Sequence, residues 1–335
     1  MQPVTKLVTR ISARSRALFA ATDRTWSARL RPDGPPIEVG CVSAMTGPLP
    51  RDEREMPRSS RAHRFGRGKG HRTIAGLLVV AVVVAGTVAI VLWRRSGAHE
   101  ASTRDAQRRF ERSSSTQRSA PSVLRPAAGV YLYRGTGTEH LTLPPKTQSQ
   151  GPRMPATVTD RADGCWTFRI DYNSAHWQTW IYCPRNGGLV ELGGQTFERW
   201  DFVVTKYDST STFTCDPVSV AIRATMHAGD VWQQSCAGTS SGAKGTATTS
   251  GPYTFVGRES VVVGGAPVAA YHFHQVRTLS GSQTGTQDTD VWFAVKDGLP
   301  LRNDRTVSVH TNTIIGRSTY TEHGSFELTS LIPQT

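Results

Sequence analysis

No P-loop, no GxGxxG opening a helix and no HExxH occurs in these 335 residues, so nucleotide-binding and zincin readings have no starting point. Cysteine is scarce, with five residues and no CxxC pair suited to zinc. Acidic residues are outnumbered, 26 Asp+Glu against 39 Lys+Arg, for a formal net charge of +13. The excess is confined to one end, because residues 127–335 hold 16 Lys+Arg against 17 Asp+Glu. That larger part is near neutral and offers no electrostatic footprint for nucleic acid. From Gly129 onward no helical period is evident either.

What is present begins with one apolar run, TIAGLLVVAVVVAGTVAIVLW, from Thr73 to Trp93. As a helix it would be about 30 Å long, the thickness of a bilayer's hydrocarbon core. The run exceeds a signal-peptide core, and Arg94 and Arg95 stand where a cleavage site would want small residues, so it reads as an uncleaved signal-anchor. Residues 1–72 are rich in Arg, Pro and Ser with little apolar periodicity, the composition of a disordered basic cytoplasmic segment. Translation from Met56 would still leave a sufficient basic stretch before the helix, so the start is open between Met1 and Met56. Residues 94–126 read as a polar stalk and 127–335 as a β-rich extracytoplasmic domain.

Basic residues nearly balance across the span, so charge alone does not orient it. Cysteine does. Cys165, Cys183, Cys215 and Cys236 all follow the span, and an even set without metal spacing suggests two disulfides and an oxidising exterior. Cys41 would be a free cytosolic thiol. The implied location is the cell membrane, single-pass, amino terminus inside and carboxy-terminal domain outside.

Strand alternation from Gly129 predicts an all-β fold, mainly an antiparallel curved sheet or half-barrel, with two similar halves suggested by recurring Gly and Trp patterns and preceded by one transmembrane helix. In GCWTFRIDYNSAHWQTWIYC, a turn at Asn173 to Ala175 pairs Trp166 with Tyr182 and Phe168 with Trp180. One face then carries Trp166, Phe168, Ile170, Trp180 and Tyr182, and Cys165 falls opposite Cys183 on the other. Cys215 and Cys236 would form the remaining bond, although three connectivities exist on paper.

A second hairpin pairs residues 270–277 with 288–295 through SerGlySerGlnThrGly, drawn with His274 facing Trp292. His272, His274, Asp288 and Asp290 then share one face, the nearest approach in the chain to a metal or acid/base site. The competing reading is a solvated polar face, with His272 several ångströms from the aspartates, and it is preferred. Gly238 to Gly242 formally satisfies GxSxG but sits in a Gly, Ser and Thr run without the strand-to-helix context of a nucleophile elbow, and reads as a loop. Tryptophans 166, 180 and 292 read as core residues. No residue is assigned to catalysis, ligand binding or a cofactor.

The series GlyVal-Tyr131-x-Tyr133, CysTrp at 165–166, GluArgTrp at 198–200, CysAspPro at 215–217, GlyAspValTrp at 229–232 and GlyLeuProLeuArg at 298–302 resembles an uncharacterised family of actinobacterial membrane-anchored proteins with a β-rich extracytoplasmic domain. Val256 to Arg302 also resembles β-sheet envelope proteins of the lipoprotein-carrier type, whose curved sheet holds lipid. The expectation is a membrane-anchored binding or structural component of the bacterial cell envelope, without enzymatic activity or cofactor. Its alternatives are a lipid or glycolipid carrier and an extracytoplasmic hydrolase. The expected partners are the membrane and a lipid or envelope glycan, not nucleic acid.

Overall fold

The computed structural model describes residues 83–87, 97–113, 123–202, 205–313 and 316–334. Val83 to Thr87, inside the apolar run, are helical, while the rest of the 73–93 span and the whole 1–72 segment lie outside the described residues. No described helix is long and apolar enough to cross a membrane.

Helix α1 (Thr103–Ser113) falls in the segment read as a stalk. Ser102 caps it, its hydroxyl accepting the Asp105 backbone N–H at 3.2 Å. Ala106 and Phe110, four residues apart, are buried against Val130 and Ala128. The helix therefore docks on the β domain. Arg109 and Arg169 both pair with the carboxylate of Asp171 beside it.

Thirteen antiparallel strands follow: β1 (Gly129–Thr142), β2 (Pro145–Gln150), β3 (Arg153–Asp160), β4 (Trp166–Asn173), β5 (His176–Arg185), β6 (Gly188–Phe202), β7 (Thr205–Ile222), β8 (Val231–Ser240), β9 (Ala243–Val263), β10 (Ala266–Gly281), β11 (Gln283–Ala294), β12 (Pro300–Thr313) and β13 (Gly316–Leu328). From β3 to β13 each strand pairs with the next, and β13 pairs back onto β1 from Tyr133↔Leu328 to Leu141↔Tyr320. On its other side β1 pairs first with β3 and then with β2, which act as one interrupted strand. The result is a twelve-stranded closed barrel, not the half-barrel expected.

Gly151 marks the interruption. Its φ of +73° favours glycine, and a Cβ there would stand 2.1 Å from the Gly135 carbonyl oxygen. The first hairpin has the expected register, with Trp166↔Tyr182 and Phe168↔Trp180, and both disulfides form with the expected connectivity, at Cα–Cα distances of 4.2 and 4.0 Å. In the second, His272 faces Trp292 and His274 faces Asp290, two residues from the drawn register. A shift of two preserves the faces, so the sharing of one face by His272, His274, Asp288 and Asp290 survives. The GTSSG segment is the end of β8 and its turn into β9 rather than a loop, and a strand follows it.

Where the β3–β4, β5–β6 and β11–β12 connections lie, the interior is packed solid by Trp166, Leu189, Ile222, Leu299 and Leu301 around Leu124. The Trp166 indole donates to the Leu124 carbonyl at 3.0 Å and the Tyr133 hydroxyl to that of Pro300 at 2.6 Å. Eight strands enclose an interior that side chains just fill, so twelve leave space.

Candidate functional site

That space is a cavity of about 1120 Å³ in the other part of the lumen, running to the tips of the β1–β2, β6–β7, β8–β9, β10–β11 and β12–β13 hairpins. Phe168, Trp180, Tyr182, Phe213, Phe293 and Phe326 supply aromatic wall. His176, Gln178, Glu198, Arg277, Arg305 and Glu322 supply a polar and charged belt.

The belt holds two networks. In the first, the Glu139 carboxylate accepts from His176 Nδ1 at 2.7 Å, Gln150 at 2.8 Å and Gln148 at 2.5 Å. Glu322 accepts from Arg305 Nε at 2.8 Å, from Arg305 Nη2, from Gln150 and from the Tyr320 hydroxyl at 3.0 Å. Arg305 Nη1 reaches across the lumen to Gln178 at 2.8 Å and to the Tyr172 hydroxyl. His176 Nε2 is buried without a hydrogen-bond partner among the described residues. In the second network, Arg277 lies 3.6 Å from Glu191 and donates to Gln234 at 2.9 Å, beside the Cys215–Cys236 bond.

These charges reshape one another. Burial opposes the His176 imidazolium, yet Glu139, with Glu322 and Glu198 behind it, holds its pKa above the ordinary value. Burial raises Glu322, but Arg305 and His176 outweigh it and leave the pKa below the usual carboxylate range. Glu198 borders the cavity, with protein around it beyond that opening, and burial together with Glu139 and Glu322 pushes it up to about 7 against His176. Burial likewise raises Glu191 against the pull of Arg277.

None of the four sequence candidates lines this cavity, because their neighbours Gln275, Thr289 and Val291 do, and alternation turns His274, Asp288 and Asp290 to the outside. The structure nonetheless brings them together. His272 Nε2 is 2.9 Å from Asp290 Oδ1, not several ångströms away, and His274 Nδ1 is 3.3 Å from the same oxygen and 3.7 Å from Asp288. His272 Nδ1 faces Glu259 at 2.8 Å, and Trp292 donates to the other Glu259 oxygen at 2.7 Å. That indole bond holds Glu259 below the ordinary carboxylate range, against burial and with help from His272. Trp292 is buried here between the stacked His272 ring at 4.2 Å and the Arg302 guanidinium at 4.7 Å.

The lumen residues were missed in the sequence. Their signal was parity: Glu139 continues the inward phase of Tyr131 and Tyr133, and His176 and Gln178 that of Trp180 and Tyr182. Polar residues on a core face mark a network or a site.

No family model matches this sequence, and no curated protein matches it. Among solved structures, the crystal structure of the hypothetical lipoprotein YmcC from Escherichia coli (K12) matches 57% of this chain and 86% of its own at 12% identity, with a TM-score of 0.26. A likeness that slight carries no argument about what this chain binds or does.

Proposed function

We propose that this protein binds a small amphipathic molecule, a lipid or glycolipid, in the lumen of its barrel, and that it does so on the outer side of a membrane to which residues 73–93 anchor it. One observation carries the reading: a cavity of about 1120 Å³ that joins an aromatic wall to a belt of buried charge. An apolar body lies against Phe168, Trp180 and Phe293, and a polar head meets Arg305, Gln178 and Glu198. The two disulfides support an oxidising compartment. The outer face of β10 to β13 carries His274, Asp290, Asp304, Thr306 and His323, which suits strands bathed in water.

The test is organic-solvent extraction of the full chain purified from its membrane, followed by mass spectrometry, with Trp180→Ala in parallel. A lipid recovered near one per chain and depleted in the variant is expected. No lipid in either preparation, together with no saturable binding of a fluorescent fatty acid, would overturn the proposal.

A further inference from the structure

The outer face of β10 and β11 holds a second constellation, separated from the lumen by the barrel wall. His274 and Asp290 are directly opposed across the strand pair, and Asp288 stands one diagonal step away. One nitrogen of His274 and one oxygen from each aspartate lie within 4.8 Å of one another. About an ion bound at roughly 2.1 Å, neighbouring donors stand about 3.4 Å apart in a tetrahedron. The His274 separations of 3.3 and 3.7 Å already match that spacing. The Asp288 and Asp290 oxygens lie within 4.8 Å of each other, and the Asp288 side chain, 58% exposed, is free to swing to adjust that span.

Two further features separate this group from a solvated strand face. The first is its charge. Asp288 and Asp290 share a face, and Asp290 also opposes Asp304 on β12, an arrangement that like charges disfavour. Among the described residues Asp304 is relieved by Arg302 and the inner carboxylate Glu322 by Arg305, whereas the partners of Asp288 and Asp290 are histidines, His274 for both and His272 for Asp290. The second is the support behind it. The Trp292 indole fixes Glu259, Glu259 fixes one His272 nitrogen, and the other His272 nitrogen fixes Asp290. Hydrogen bonds of this kind to a liganding carboxylate are a usual outer-shell support in metal centres, and here they fix the rotamer of Asp290. The inner triad Glu139, His176 and Glu322 is also compact, but Gln148, Gln150 and Arg305 already occupy its oxygens.

We infer that His274, Asp288 and Asp290 bind a divalent transition-metal ion of the zinc class on the outer wall of the barrel, with His272 as the residue that positions Asp290. One imidazole and two carboxylates suit such an ion and leave a coordination position for water or an incoming group.

The test is titration of the chelator-treated full chain in detergent with Zn²⁺ in competition with a chromophoric chelator, comparing wild type, His274→Ala, Asp288→Asn with Asp290→Asn, and His272→Ala. We expect one more equivalent bound by wild type than by His274→Ala or the double aspartate variant. His272→Ala should retain the site at about tenfold or more weaker affinity. X-ray absorption of the loaded protein should show a nitrogen and oxygen shell. Equal binding by wild type and the ligand variants, or a shell dominated by sulfur, would overturn the assignment. Melting of the metal-free proteins controls for folding: His274→Ala and the double aspartate variant, whose side chains are the more exposed, are expected to melt with wild type, whereas His272→Ala, which uncovers the stacked Trp292 ring, is expected to melt somewhat lower while remaining folded.

Discussion

Glu198 sits two residues before the buried Trp200 on β6, and its carboxyl retains its proton to about pH 7 where the unfolded chain releases it near 4.5. Between those values the folded state binds the extra proton, so stability falls as pH rises through the window and the loss is complete above it. Each unit of separation corresponds to about 1.4 kcal/mol. Glu198→Gln cannot ionise, so urea midpoints of variant and wild type should diverge in the variant's favour from pH 4.5 to 8. Parallel profiles would show that the lumen does not resist this charge. Arg305 and Glu322 make the complementary case, since each is buried with the other as its main partner. Arg305→Ala should cost about 3 to 5 kcal/mol by stranding a carboxylate, while Arg305→Met with Glu322→Gln should cost much less. Denaturant midpoints check the difference, and an equal loss in both would mean that packing rather than charge governs the site.

At the scale of the element, the β4–β5 hairpin was legible because Trp166, Phe168, Ile170, Trp180 and Tyr182 alternate cleanly and a short turn fixes the register. The β10–β11 hairpin was legible only in its faces. SerGlySerGlnThrGly closes equally well two residues over, and that shift is what places His272 beside Asp290. Helix α1 escaped notice because Ala106 and Phe110 are its whole apolar stripe, too little to read as a helical period. The β7–β8 ladder suggests a sharper experiment. It runs only from Ser211↔Ser240 to Thr214↔Ala237, and Cys215–Cys236 closes it at the next position. Replacing those two cysteines by serine should cost about 3 kcal/mol and raise amide exchange along 211–214 and 237–240. Replacing Cys165 and Cys183 should cost about as much by the same loop argument without opening that seam, since longer pairing flanks it. Exchange spread uniformly over the barrel in both variants would refute a local role for the Cys215–Cys236 bond.

For the whole molecule, alternation declares strands but not their number around a ring. The ladder from Tyr133↔Leu328 to Leu141↔Tyr320 joins the two ends of the domain, and nothing local in β1 or β13 announces it. Closure turns a sheet face into a lumen, so the polar residues at 139, 176, 305 and 322 were unreadable as a set until the ring was complete. It also makes occupancy a global property. A ligand that binds only the closed barrel stabilises it by about 2.7 kcal/mol at a hundredfold excess over its dissociation constant. Delipidated protein should therefore melt lower than the protein as purified, and adding back the extracted lipid should restore the difference. Trp180→Ala should shrink that increment because the indole forms part of the wall, while His274→Ala, outside it, should leave the increment unchanged. If Trp180→Ala and wild type gain equally from added lipid, the lipid is bound elsewhere than in the lumen.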